Sequence, residues 1–216
     1  AESDRGGQTG VDRDVVMGAA RRPIKHVARS EQPLTAVAKK HRAQNSDRIE
    51  AKTKTDLSML QPGQPAPVFD LPDADMNMVS LESFKNHRHV VLYFYPRDDT
   101  PGCTMEAIDF TDLEDEFNQL KTVVLGVSMD DCLAHGSFRD KHGLCVQLLA
   151  DVDGEVCRRY GVLHEKEVDG KRKIGIVRST FIIDRKGVLK HALYGVNPRG
   201  HAVEVLDLVK DIAKCK

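Results

Sequence analysis

Two continuous apolar runs constrain this chain more than any other feature: His89–Tyr95 (HVVLYFY) and Thr122–Ser128 (TVVLGVS). Both are rich in β-branched and aromatic residues and show no alternation. That pattern suits strands covered on both faces, the habit of parallel sheets. Between them Phe110, Leu113, Phe117 and Leu120 recur at helical spacing, which predicts one amphipathic helix. Further helices are expected at Asp131–His142, Gly154–Tyr160 and His201–Ala213, the last with Val205, Leu208, Val209 and Ile212 inward. Ser179–Asp184 and Val188–Tyr194 read as two more strands, split by the turn Arg185-Lys186-Gly187. A β-α-β-α order followed by a hairpin and a final helix predicts an α/β fold, a central mixed β-sheet flanked by helices on both faces.

This pattern begins only near Met59. Residues 1–58 carry 12 Lys/Arg against 8 Asp/Glu, net +4, while the other 158 residues carry 20 against 25, net −5. The first segment has no Phe, Tyr, Trp or Cys and no sustained apolar period. It lacks the apolar surface needed to offset the entropy of ordering it. We expect a disordered basic extension over 1–58, with a short helix around Leu34–Arg42, and a folded domain over 59–216. The alternative for the extension is an arm for nucleic acid or an acidic partner. Arg21, Arg22, Lys39, Lys40 and Arg42 are basic, but no aromatics are interleaved with them. The whole chain has a net charge of −1, so no global charge argues for nucleic acid as a partner. No apolar run approaches the ~18 residues of a membrane span, and no apolar secretory core occupies the first 30 residues. Five irregularly spaced cysteines do not suggest a disulfide framework, so a cytoplasmic protein with one or two working thiols is expected.

The stretch Tyr95–Glu106 (YPRDDTPGCTME) joins the first buried run to the first helix. Thr100-Pro101-Gly102 is helix-start chemistry and puts Cys103 in the first helical turn. Unpaired N–H groups and the positive dipole end there favour an anion, and hence a nucleophilic thiolate. Asp98 and Asp99 would oppose that charge, so both are expected to face solvent. The nine histidines show no metal-ligand spacing, and no phosphate-binding glycine motif occurs, so neither a metal nor another cofactor is expected. His135 and His142, seven apart on one predicted helix, are read as surface residues.

The spacing Pro96-(x)3-Thr100-(x)2-Cys103 resembles the Pro-xxx-Thr-xx-Cys signature of the peroxiredoxins. YFYPRDDTPGCTMEAIDF, LQPGQPAPVFDLPD (60–73), GVSMDD (126–131), LLADVDGEV (148–156) and RSTFIID (178–184) are similar to the peroxiredoxin Q, or bacterioferritin comigratory protein, group. The resemblance covers about residues 59–216 and implies a thioredoxin-like fold. It also implies a peroxidase in which Cys103 attacks a hydroperoxide, Thr100 hydrogen-bonds the peroxide, Pro96 shields the thiolate and Arg178 reaches the sulfur. The implied partners are hydrogen peroxide or an organic hydroperoxide, and thioredoxin, glutaredoxin or a small thiol as reductant. The implied oligomeric state is monomer or weak homodimer. A non-enzymatic redox sensor or tail-tethered binding module on the same fold is the alternative.

Resolving cysteines in this group fall five residues after the first or on the helix following the second strand. Here those positions are Ile108 and Arg139. Cys132, 29 residues after Cys103 and two helical turns before Arg139, is the candidate resolving thiol. The favoured expectation is a one-cysteine mechanism with an external thiol. Cys145 and Cys157 are read as core. Cys215 is read as a mobile thiol able to reach another chain or a small thiol.

Overall fold

In a computed structural model the described residues are 59–168 and 171–214. The expected extension 1–58, its short helix and Cys215 lie outside them. Among the described residues no helix is long and apolar enough to cross a membrane.

The chain runs β1 (Asp70–Pro72), β2 (Met78–Ser80), a 3-10 turn (Leu81–Phe84), β3 (His89–Phe94), α1 (Pro101–Asp112), α2 (Glu114–Gln119) and β4 (Thr122–Ser128). It continues through α3 (Cys132–His142), β5 (Gln147–Ala150), α4 (Glu155–Arg159), β6 (Leu163–Val168), β7 (Lys171–Ile176), β8 (Ser179–Ile183), β9 (Leu189–Tyr194) and α5 (His201–Lys214). The five-stranded sheet has the order β5-β4-β3-β8-β9. β3, β4 and β5 are parallel, while β8 pairs antiparallel with both β3 and β9. The sheet is mixed, as its two continuous runs and terminal hairpin foretold. Every residue of β3 is buried, because each alternate side chain meets a different core. Val90, Leu92 and Phe94 join α4 and the β1–β2 region on one face. Val91 and Tyr93 join α1, α2, α3 and α5 on the other.

The expected single helix after β3 is two helices, broken at Leu113 (φ −99°, ψ 6°). The apolar spacing survives the break, with Phe110 and Phe117 both buried. Periodicity reports the buried face and not the continuity of the backbone. The hairpins β1–β2 and β6–β7 have no counterpart in the sequence reading.

Gly126 explains how α1 sits so close to the sheet. A Cβ there would lie 2.6 Å from the Tyr93 hydroxyl oxygen, so only glycine leaves room for that ring. Tyr93 in turn stacks on Phe110 of α1, with centroids 4.8 Å apart. The helix carrying Cys103 is thus seated on β3 by an aromatic contact that a glycine in β4 permits.

Candidate active site

α1 begins where β3 leaves the sheet. Thr100 is its N-cap in extended geometry (φ −90°, ψ 148°), Pro101 opens the helix, and Cys103 lies in the first turn. The Thr100 carbonyl accepts the first helical bond from Thr104 N–H at 2.8 Å. The Thr100 hydroxyl does not cap the helix; it donates to the Arg97 carbonyl at 3.2 Å. Arg178 arrives from the neighbouring strand. The register Phe94↔Ser179 places it just before β8, beside the exit of β3.

The Arg178 guanidinium touches two groups of α1. Its Nη2 donates to Cys103 Sγ at 3.1 Å, and its Nη1 pairs with Glu106 Oε2. Glu106 is fully buried, and its Oε1 has no hydrogen-bond partner. Burial pushes the Glu106 carboxyl up to about 7, against the opposing attraction of Arg178. Burial works to depress the Arg178 guanidinium, but the Glu106 and Cys103 charges outweigh it and leave it raised.

The structure brings Cys103 and Arg178 into contact and places Thr100 at the cap three residues before the thiol. Pro96 is exposed at the end of β3. Cys132 is the half-buried first residue of α3, whose N-cap Asp131 accepts from Ala134 N–H at 2.8 Å. Cys103 itself is only 2% exposed. The contacts with Arg178 and the aromatic core close over it.

Three expectations are corrected. Asp98 does not face solvent: its carboxylate accepts from the Tyr95 hydroxyl at 2.7 Å and lies 2.8 Å from His135 Nδ1. His135 is accordingly buried, not a surface residue. Cys145 is exposed, pointing away from the core between the buried Leu144 and Val146. Asp99 does face solvent, and hydrogen bonds from Lys141 and His142 hold its carboxyl below the usual range. Cys157 is buried as expected, with its thiol raised by burial and by the Asp151 carboxylate. None of the four described cysteines is in a disulfide. Among the described residues no group of three or more His, Cys, Asp or Glu side chains is placed to hold a metal ion.

Glu106 is the site residue that sequence reasoning missed. The signal was present: a carboxylate one turn after the thiol, on the side chain row of Cys103 and Phe110 that faces the core. A charged residue at a core position needs a partner, and Arg178 is that partner.

A first-turn cysteine at the exit of a buried parallel strand, with an arginine on its sulfur, defines a thiol-based redox enzyme on a thioredoxin-like fold. Residues 62–192 match the AhpC/TSA family, and the chain belongs to it. It is 45% identical over 147 residues to a putative peroxiredoxin bcp of Coxiella burnetii, covering 68% of this chain and 97% of that protein. It is 40% identical over 152 residues to the peroxiredoxin Bcp of Bacillus subtilis, covering 70% and 96%. A crystal structure of Xylella fastidiosa PrxQ superposes with a TM-score of 0.68 at 35% identity, covering 72% of this chain and 99% of that one. The enzyme is a thiol-dependent peroxidase of the peroxiredoxin class. The redox-sensor alternative is not favoured.

Proposed function

We propose that Cys103 is the peroxidatic nucleophile of a hydroperoxide reductase. The observation that carries this reading is the 3.1 Å contact from Arg178 to Cys103 Sγ at a helix N-terminus. The thiolate attacks one peroxide oxygen and the O–O bond breaks. Cys103 becomes a sulfenic acid, and the other oxygen leaves with a proton as water or an alcohol. Negative charge grows on that leaving oxygen, so fixed donors speed the step. Arg178 supplies a cation that is already in place. The Thr100 hydroxyl, which donates to the Arg97 carbonyl at 3.2 Å, would exchange that partner for the peroxide. Pro96 shapes the rim of the approach.

The sulfenic acid then condenses with an incoming thiol to a disulfide, releasing water, and a second thiol restores Cys103. The absence of cysteine at positions 108 and 139 supports an external reductant, thioredoxin, glutaredoxin or a small thiol. Cys132 is the second candidate for this step. Substrates are hydrogen peroxide and organic hydroperoxides. One related structure, from Xanthomonas campestris, concerns the alkyl peroxide reduction activity of a bacterioferritin comigratory protein. We further propose an antioxidant role in the cytoplasm, as a monomer or weak homodimer, carried by residues 59–216 without the basic extension.

A coupled assay of peroxide consumption, run with thioredoxin and separately with glutathione, tests this reading. Turnover is expected with at least one of them. Turnover with neither would contradict it.

A further inference from the structure

Two consecutive carboxylates and two histidines meet across the active-site loop. Asp98 and Asp99 immediately precede Thr100, while His135 and His142 lie two turns apart on α3. His135 Nδ1 is 2.8 Å from Asp98 Oδ2, and the Tyr95 hydroxyl donates to Asp98 Oδ1 at 2.7 Å. The Asp98 amide donates to Asp130 Oδ2 at 2.8 Å, which also accepts from the Ser128 hydroxyl at 2.8 Å. One position on, Lys141 Nζ donates to Asp99 Oδ2 at 2.5 Å, and His142 Nε2 is 2.7 Å from Asp99 Oδ1. Asp99 has φ 55°, a left-handed conformation that a non-glycine residue keeps only when its surroundings hold it there.

We propose that α3 is a clamp on the active-site loop, with His135 and His142 as positioning residues that grip Asp98 and Asp99. Through them the clamp holds Thr100 and the first turn of α1 in the geometry that reacts with peroxide. This proposal rests on the reading of Cys103 as the nucleophile. The thiol is 2% exposed, so any reagent larger than a peroxide reaches it only when that turn opens. The clamp sets how often it opens. The two grips differ in strength. The His135–Asp98 contact is buried and networked, so removing one partner strands a polar group without water. The Asp99 contacts are about half exposed, and each contributes little by itself. The inner grip fixes the loop, and the outer grip, working on a strained residue, tunes it.

Hydrogen exchange of the amides at 98–104 tests the clamp in the full chain, together with alkylation of Cys103 by a bulky maleimide and the rate of reaction with peroxide. His142→Ala and Asp99→Ala are expected to speed exchange at 98–104 and alkylation several-fold and to slow the peroxide step, with exchange in β3, β4 and β8 unchanged. The double variant should show no more than the Asp99→Ala effect, since that change already removes the His142 contact along with the Lys141 one. His142→Gln, which keeps a donor at similar reach, should restore the wild-type values. His135→Ala should show the largest loosening; because it disturbs a buried network, the surface variants decide the question. Unchanged exchange at 98–104, or a rise spread evenly over the sheet, would overturn the proposal. The exchange readout does not depend on thiol chemistry. Persisting peroxide turnover in Cys103→Ser would therefore overturn the functional reading and leave the clamp standing.

Discussion

Arg178 divides its guanidinium between two groups of α1, with one nitrogen 3.1 Å from Cys103 Sγ and the other paired with Glu106. The planar fork suits this double task, since its donors are fixed relative to one another. Glu106, a buried carboxylate three residues after Cys103, thus holds the arginine beside the thiol.

Arg178→Ala removes the cationic donor that touches Cys103 Sγ. We expect the second-order rate with peroxide to fall by about 10²- to 10³-fold, the usual loss for one preorganised transition-state donor. Arg178→Lys should recover only part of it, because an ammonium cannot face the sulfur and Glu106 in the same fork geometry. Stopped-flow kinetics of the reduced enzyme measures both. An unchanged rate in the alanine variant would exclude Arg178 from the reaction.

Glu106 gives stability a pH dependence of definite sign. Its carboxyl is raised from 4.5 to about 7 in the folded protein, so folding favours the protonated form. The stability from this group is fully present below the unfolded value and is lost as pH rises through the folded one. Glu106→Gln should remove that loss. In urea denaturation, wild type minus variant should fall by on the order of 2 kcal/mol between about pH 5 and about pH 8. A constant difference across that range would contradict the assignment.

The fold was legible where one physical cause acted alone. β3 and β4 are buried on both faces and contain no polar interruption, so composition sufficed to find them. Asp131 and Gly143 cap α3 by chemistry visible in the sequence. The site was legible as far as Cys103 and Arg178, through helix-start chemistry and family resemblance. Reading failed where two segments distant in the chain satisfy each other. Glu106 and Asp98 look like surface carboxylates until Arg178 and His135 are placed against them. His135 and His142 gave a correct helix spacing, but nothing local said that their partners sit 37 and 43 residues away. The break at Leu113 was hidden for a different reason, since the apolar rhythm continues through it.

Residues 59–216 are expected to suffice for folding and activity. Leu60 packs against the core, and its amide donates to the Tyr194 hydroxyl at 2.8 Å. Deleting 1–58 should leave the melting temperature and the peroxidase rate unchanged. A loss of either would make the extension part of the working fold.

Resolution of the oxidised thiol separates the two chemical routes. For Cys132 to resolve Cys103, the sulfurs must come to about 2.05 Å, with Cα atoms within roughly 7 Å. The 2% exposure of Cys103 requires the first turn of α1 to open for this. We expect one equivalent of peroxide, without added thiol, to leave a sulfenic acid, and excess peroxide to carry it to sulfinic acid. Non-reducing peptide mapping checks this. A stoichiometric Cys103–Cys132 disulfide, lost in Cys132→Ser, would replace the one-cysteine route with an internal one.

Trapping the first oxidation product tests the central claim most directly. The reduced protein is mixed with one equivalent of hydrogen peroxide in the presence of dimedone and analysed by peptide mass spectrometry. The expected result is a single adduct on Cys103, matching in amount the peroxide consumed, and absent in a Cys103→Ser variant that stays folded and no longer consumes peroxide. An adduct on Cys132 or Cys145 instead, or undiminished peroxide consumption by Cys103→Ser, would contradict it.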